Sequence, residues 1–154
     1  MKVAEKVADI LEKKGSVVIT IKPTETIAAL SQRLRERRIG AAIVSGDGQA
    51  VDGVISERDI AYGLCVHKGE LFSMPVSALM TKAVITCAPG DEIGIVASTM
   101  LSRNVRHLPV MDGNRLIGMV SIRDVLNFRV DQLQRETGLL RAFAMQTDRE
   151  VQDR

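Results

Sequence analysis

Two heptapeptides decide the fold of this chain, Gly53-Val54-Ile55-Ser56-Glu57-Arg58-Asp59 and Gly118-Met119-Val120-Ser121-Ile122-Arg123-Asp124. Both read Gly, two apolar residues, Ser, any residue, Arg and Asp. The match extends upstream, where residues of the first copy return at one spacing: Ile19-Thr20, Pro23, Ile27 and Val44 as Ile85-Thr86, Pro89, Ile93 and Val110. The first copy then carries one residue more before its heptapeptide. Such self-similarity marks two copies of one supersecondary unit, which bury their apolar faces together.

Apolar periodicity predicts the same element order in both copies: strand, helix, a hairpin around an Asp-Gly turn, and a second helix. In the first copy we expect a strand over 16–21, a helix through Ile27, Leu30 and Leu34, a hairpin over 41–44 and 53–55, and a helix from Glu57. In the second we expect a strand over 83–87, a helix over 93–102, a hairpin over 107–111 and 115–120, and a helix after Asp124 through Leu133, or to Phe143 if it passes Gly138.

The predicted fold class is mixed α+β, with two tandem β-α-β-β-α repeats related by a pseudo-twofold axis and short helices at both ends. Val3, Val7, Ile10 and Leu11 form one helical stripe that ends near Gly15. The expected boundaries are an N-terminal helix over 1–15, a first repeat over 16–66, a linker over 67–82, a second repeat over 83–130, and a C-terminal helix with a polar, frayed tail over 131–154.

Composition excludes several classes of function. A net charge of +2 and 3% aromatic residues argue against a nucleic-acid partner. No apolar run reaches the ~18 residues of a membrane span, and the mixed charges of Met1–Lys6 fit neither a secretory signal nor a transit peptide. Cys65 and Cys87 form no CxxC pair, so we expect reduced thiols, no metal site and a cytoplasmic protein.

Each heptapeptide stands where a strand gives way to a helix, and free N–H groups at a helix start favour a phosphate. The Ser hydroxyl and the Arg guanidinium add donors for phosphate oxygens, and the Asp carboxylate can accept from two ribose hydroxyls. Ser-x-x-Asp also resembles a capping box, and duplication alone could preserve a cap, so both interpretations stay open. Ser121, Asp124 and His107 could be named as a triad, but no Gly-x-Ser-x-Gly elbow is present.

The repeat resembles the CBS (cystathionine-β-synthase) domain, and the pair resembles a Bateman module, over residues 16–130. The resemblance rests on the two heptapeptides, on the linker and on the strand motifs: Ile19-Thr20-Ile21-Lys22-Pro23, Pro75-Val76-Ser77-Ala78-Leu79-Met80-Thr81, Val84-Ile85-Thr86, Pro89 and His107-Leu108-Pro109-Val110. The first copy departs from the pattern, since Ala41-Ala42-Ile43-Val44 stands where the second has His-Leu-Pro-Val.

The resemblance implies that AMP, ADP, ATP, NAD(H) or S-adenosylmethionine binds in clefts between the repeats, without a metal. Asp59 and Asp124 would hold ribose, while Ser56 and Ser121 would face phosphate. The remaining expected site residues are Gly53, Arg58, Gly118 and Arg123 of the heptapeptides, Thr20, Ile21, Thr86 and Cys87 beside the base, and Arg38 (with Arg37), Arg103, Arg106 and His107 at the phosphates.

The sequence thus predicts a regulatory sensor of adenine nucleotides, not an enzyme, that acts through an effector protein in trans or through its oligomeric state. The resemblance implies a disc-like homodimer and allows parallel and antiparallel arrangements. A structural dimerisation module without ligand and a nucleotide-processing enzyme are the alternatives.

Overall fold

The structure, a computed structural model, describes the backbone of residues 5–152 and the side chains of residues 5–147. The predicted helix start at Val3 and the last residues of the tail lie outside these ranges. Two 3₁₀ turns, Lys68–Ser73 and Val76–Ala78, lie in the linker. The helices and strands, in chain order, are α1 (Val7–Lys14), β1 (Thr20–Ile21), α2 (Ile27–Arg37), β2 (Ala41–Val44), β3 (Gly53–Ser56), α3 (Glu57–His67), α4 (Ile93–Ser102), β4 (His107–Asp112), β5 (Arg115–Ser121) and α5 (Ile122–Gln152).

The first repeat folds around a three-stranded sheet in the order β1-β2-β3. β1 runs parallel to β2, with Ile21 opposite Val44, and β3 runs antiparallel to β2. All four residues of β2 are buried, as expected for a central strand covered on both faces. The core beneath it combines α2, the sheet and the linker through Ile27, Leu30, Ile55, Leu71 and Val76.

The second repeat contains the antiparallel pair β4-β5, but the strand predicted over 83–87 is wrong. Only one parallel bridge forms there, between Cys87 and Val110, at the place that Ile21 and Val44 occupy in the first repeat. In the first repeat the N–H of Ile43 donates to the carbonyl of Ile19 at 3.1 Å. Pro109 replaces Ile43 in the second repeat, and proline has no N–H to donate. The first predicted strand is also shorter than expected, since only Thr20–Ile21 of 16–21 pair.

Each repeat is completed by the segment that precedes the other one. The N–H groups of Val7 and Ala8 in α1 donate to the carbonyls of Asp91 and Pro89 in the second repeat, each at 2.9 Å. The linker makes the same two bonds to the first repeat, Val76 to Glu25 at 2.8 Å and Ser77 to Pro23 at 3.0 Å. α1 therefore belongs to the core of the second repeat, where Val7, Ile10 and Leu11 are buried.

The last helix is longer than the sequence indicated. α5 runs for 31 residues as one continuous helix, so the segment expected to fray after Gln146 is helical as far as Gln152. Gly138 does not interrupt it. Among the helices described between residues 5 and 152, none combines the length and the apolar character that crossing a membrane requires.

The glycine that begins each heptapeptide is a point of close packing. A Cβ on Gly53 would lie 2.8 Å from Met80 Sδ and 2.9 Å from the backbone oxygen of Thr81. A Cβ on Gly118 would meet the end of the Leu11 side chain, at 2.8 Å from Cδ2. Met80 in the linker and Leu11 in α1 therefore play the same part in the two repeats.

We expect Gly53→Ala to destabilise the protein more than Gly118→Ala. The methyl at position 53 meets a backbone carbonyl that cannot turn away, which corresponds to an overpacking cost of about 1–3 kcal/mol. The methyl at position 118 meets a side chain that can change rotamer, so a cost below about 1 kcal/mol is expected. Urea unfolding of both variants measures the difference, and equal losses of stability would contradict the assignment.

Candidate functional site

Both heptapeptides form capping boxes at the starts of α3 and α5. The N–H of Ser56 donates to Asp59 Oδ2 at 2.8 Å, and its hydroxyl lies 3.1 Å from the same oxygen. At the second helix the N–H of Ser121 donates to Asp124 Oδ2 at 2.8 Å, and the N–H of Asp124 donates to Ser121 Oγ at 3.1 Å. The capping interpretation of Ser-x-x-Asp is thus correct as a description of the local structure.

The cap leaves acceptor capacity on each aspartate. Every hydrogen bond that reaches one of these carboxylates ends on Oδ2, and among the described residues neither Asp59 Oδ1 nor Asp124 Oδ1 receives one. An ionised carboxylate offers about four lone-pair positions over its two oxygens. One oxygen can therefore cap the helix while the other accepts from a ligand.

A cleft of about 180 Å³ lies over Asp59 between the two repeats. We call it the Asp59 cleft. One wall is the start of α3, with Ser56 and Arg58, and the opposite wall is the approach to β4 in the second repeat. Arg58 spans the gap and reaches the carbonyl of Asn104 at 3.5 Å. The remaining wall comes from the linker and from the segment that replaces the missing strand, namely Thr81, Ala83, Val84 and Ile85.

A second cleft, of about 730 Å³, lies over Asp124 on the other side of the molecule. We call it the Asp124 cleft. The start of α5 faces the end of α2 and the approach to β2, which is the pseudo-symmetric counterpart of the first arrangement. Unlike the Asp59 cleft, it falls within the 300–1,000 Å³ typical of small-ligand sites. Its lining is rich in cations: Lys14, Arg35, Arg38, Arg106 and Arg123.

The two clefts meet at a shared wall of Gly40, Glu57, Arg106 and His107. The N–H of Glu57 donates to the carbonyl of Gly40, and the N–H of Ile122 donates to the carbonyl of Arg106, both at 2.9 Å, so the pseudo-twofold axis passes here. Burial lowers the pKa of His107, and the nearby carboxylates of Asp124 and Glu57 oppose this only in part. The imidazole therefore favours its neutral form.

Lys14 makes the two clefts unequal. Its ammonium donates to Asp124 Oδ2 at 2.6 Å and to the carbonyl of Met119 at 2.7 Å. The packing of Leu11 and Met80 makes Ala83 the counterpart of Lys14 in the first repeat, so Asp59 has no such lysine. The Asp124 carboxylate is neutralised before any ligand arrives, whereas the Asp59 carboxylate is not.

The CBS domain family model matches this chain twice, over residues 5–65 and 76–131. The chain belongs to the CBS domain family. Protein MK0525 of Methanopyrus kandleri, which is uncharacterized, is 30% identical over 110 residues that make up 71% of this chain and 56% of that protein. A second relative, the SNF1-related protein kinase regulatory subunit gamma-1-like of Arabidopsis thaliana, is 32% identical over 75% of this chain and 30% of its own length.

Solved CBS structures share the whole pair. The CBS-domain protein ATU1752 of Agrobacterium tumefaciens superposes with a TM-score of 0.78 and 32% identity, over 81% of this chain and 99% of that one. The CBS domain pair of protein MJ0100 was solved in complex with 5-methylthioadenosine and S-adenosyl-L-methionine. It superposes with a TM-score of 0.75 and 25% identity, over 84% of this chain and 99% of that one.

Most of the predicted site residues of this CBS pair come together in the clefts. The Asp59 cleft contains Ser56, Arg58, Asp59, Arg106 and His107. The Asp124 cleft contains Arg38, Arg106, His107, Ser121, Arg123 and Asp124.

The other predicted residues lie elsewhere. The residues expected beside the base and two of the expected phosphate ligands line neither cleft: Thr20, Ile21, Thr86, Cys87, Arg37 and Arg103. Ile21 and Cys87 are core residues, and burial raises the pKa of the Cys87 thiol to about 12. Gly53 and Gly118 lie under Met80 and Leu11, so they serve packing within the CBS fold.

Several cleft residues were missed from the sequence, namely Lys14, Arg35, Glu57 and Asn104. Lys14 was missed because α1 was assigned to the flank of the first repeat. One pattern in the sequence relates α1 to the linker: Val7, Ile10 and Leu11 have the same spacing as Val76, Leu79 and Met80. Among the described residues, no group of three His, Cys, Asp or Glu side chains could hold a metal ion.

We expect His107 to make the stability of this CBS pair fall as the pH drops. The pKa of His107 is below its ordinary value of 6.5 in the folded state, so the unfolded chain binds more protons at acidic pH. The stabilisation is present above pH ~6.5 and is lost progressively below it. Urea unfolding between pH 8 and 5 should give a shallower pH dependence for His107→Gln than for wild type. His67→Gln, outside both clefts, is the control, and an unchanged slope in His107→Gln would contradict the assignment.

Proposed function

We propose that this chain is a regulatory CBS pair that binds an adenine nucleotide in its clefts and is not an enzyme. One observation carries the proposal. In each cleft an aspartate with a spare carboxylate oxygen, at a helix start, faces basic side chains of the other repeat. Ribose hydroxyls are donors for the carboxylate, while the helix N-terminus and the arginines suit phosphate.

The comparisons support an adenosine ligand. MJ0100, which shares the whole pair, binds two ligands that contain adenosine. We expect Asp59 Oδ1 and Asp124 Oδ1 to accept from the ribose hydroxyls, and Arg58 and Arg123 to approach the phosphates. Val84 and Ile85 supply an apolar wall for the base in the Asp59 cleft, in place of Thr86 and Cys87.

Volume and charge favour different ligands in the two clefts. The Asp59 cleft is small, and its carboxylates, Asp59 and Glu57, balance Arg58 and Arg106, which suits adenosine or AMP. The Asp124 cleft is larger and carries an excess of cations over Glu57 and Asp124, which suits ADP, ATP or NAD(H). Charged hydrogen bonds of the kind that phosphates make contribute about 1.5–3 kcal/mol each.

The regulatory signal requires that the nucleotide bind two arrangements of the repeats with unequal affinity. A ligand shifts the equilibrium between two conformations only by the difference in its affinity for them. We propose that the change is passed to an effector protein in trans or to a homodimer. Exposed apolar residues of α3 and α4 offer surface for such contacts: Tyr62, Val66, Ile95 and Leu101. The free thiols of Cys65 and Cys87 support the cytoplasmic location expected from the sequence.

A structural module without ligand is the second candidate, because the capping boxes alone give both aspartates a role at a helix start. In that case the two aspartates would serve folding alone. Their substitution would lower stability and change nothing else.

Asp59→Glu and Asp124→Glu separate the two functions. Glutamate preserves the capping box, for which Ser-x-x-Glu is the common form, but it moves the carboxylate away from the ribose position. We expect wild type to gain roughly 5–10 °C in Tm with a binding adenylate at about 100 times its Kd. Each Glu variant should keep the Tm of the free protein and weaken binding at its own cleft by about 10-fold or more.

Scanning fluorimetry and calorimetry with adenosine, AMP, ADP, ATP, NADH and S-adenosylmethionine provide the readout. Asp112→Glu, on the hairpin outside both clefts, is the matched control. No response of wild type to any adenylate at millimolar concentration would overturn ligand binding. A loss of Tm in Asp59→Ala and Asp124→Ala with that result would establish the structural module.

We expect Lys14→Met to reduce ATP binding more than adenosine binding. Lys14 can leave Asp124 for a phosphate, so its removal costs ATP a charged contact, about 5–10-fold in affinity, while it frees Asp124 for the ribose of adenosine. Calorimetry in an Asp59→Glu background isolates the Asp124 cleft. Lys13→Met is the control, because Lys13 pairs with Asp131 outside both clefts. An equal change for both ligands would exclude this role.

A further inference from the structure

α5 carries a straight apolar stripe that the described part of the fold leaves exposed. The stripe has the spacing four, three, four, three along the helix, and we call it the α5 seam: Leu126, Val130, Leu133, Thr137, Leu140, Ala144 and Thr147. Leu126 is 58% exposed, Val130 50%, Leu133 61% and Leu140 70%. Exposed apolar surface of this regularity marks an interaction site.

Near its start the opposite face of α5 packs on the rest of the molecule. Val125 is buried in the core of the second repeat, and Phe128 packs against it. Arg129 pairs with Glu5 at 3.1 Å, and Asp131 pairs with Lys13. Farther along, the large apolar side chains are mostly exposed, including Leu139 at 61% and Phe143 at 67%.

A helical extension with an exposed apolar stripe needs a second element to pack against it. Most helical stability in proteins comes from the packing of an apolar face, and Gly138 costs this helix about 1 kcal/mol relative to alanine. The heptad spacing buries one stripe along the whole extension if a second helix lies against it. A copy of the same helix supplies a complementary stripe, since a twofold contact is self-complementary.

We propose that the α5 seam forms a parallel two-stranded coiled coil with a second copy of this chain. In heptad terms the leucines Leu126, Leu133 and Leu140 occupy d positions, while Val130 and Thr137 occupy a positions. β-branched residues at a with leucine at d favour two parallel strands. The polar Thr137 fixes the register at a cost in stability.

The charges beside the seam agree with this arrangement. Glu136 is at a g position and Arg141 is at the following e position. In a parallel pair these positions face each other across the two helices, so Glu136 lies opposite Arg141 of the second copy. The sequence allowed a parallel and an antiparallel homodimer, and the coiled coil requires the parallel one. It does not depend on nucleotide binding.

Cysteine cross-linking tests the direction of the pair, with the full chain and without nucleotide. In a Cys65→Ser background, Leu133→Cys should oxidise to a disulfide-linked dimer, because a d residue meets its own counterpart in a parallel pair. Leu139→Cys is the matched control, since Leu139 has the same exposure as Leu133 but lies off the seam at a c position. A cross-link at 133 and none at 139 supports the proposal. No cross-link at 133, or equal cross-linking at both positions, overturns it.

The dissociation constant of the dimer tests how much the α5 seam contributes to its stability. The double substitution Leu133→Glu with Leu140→Glu should weaken the dimer by about 100-fold or more, because it places four carboxylates along the seam. Leu139→Glu should change the dimer constant by less than about threefold. Both variants are at exposed positions, and circular dichroism checks that they fold. Light scattering and sedimentation give the result. A monomeric wild type at about 100 μM, or a dimer that both variants weaken equally, overturns the proposal, as does a seam that binds only an unrelated helix.

Discussion

Two backbone hydrogen bonds join each repeat to the segment that precedes its partner, and the rest of the architecture depends on this exchange. Val7 and Ala8 bond to Asp91 and Pro89, while Val76 and Ser77 bond to Glu25 and Pro23. The exchange fixes the two repeats face to face across a pseudo-twofold axis. It thereby sets the start of each second helix, with its serine and aspartate, opposite the strand approach of the other repeat. The clefts exist only because neither repeat is complete on its own.

In each half one short turn caps a helix and also lines a cleft. Oδ2 of Asp59 or Asp124 accepts the serine N–H at the helix start, and among the described residues nothing donates to Oδ1. The cap therefore leaves acceptor capacity on the carboxylate, because a carboxylate has two oxygens. The differences between the halves then come from single side chains. Lys14 neutralises Asp124 and has no counterpart beside Asp59, and Pro109 removes a strand that the first repeat keeps.

The sequence predicted most of the fold because duplication showed each pattern twice. The heptapeptides placed α3, α5 and both aspartates, and the hairpins were found from their Asp-Gly turns. Thr86 and Cys87, which the resemblance placed beside a base, line neither cleft, and the strand predicted over 83–87 does not form. Pro109 prevents that strand, and Val84 and Ile85 line the cleft in their place. Lys14 was missed because its function arises from packing between segments far apart in the chain, and no local pattern reports such a contact.

α5 begins at Ile122, directly after the serine that caps it, and continues unbroken for 31 residues. At 1.5 Å per residue the helix is about 45 Å long. Its base is anchored by Val125 and by the Asp124 turn, at the wall of the Asp124 cleft. By geometry alone, a tilt of about 5° at the base would displace the far end by about 4 Å. The length of α5 would therefore convert a small rotation at the cleft wall into a displacement large enough to break or make a side-chain contact.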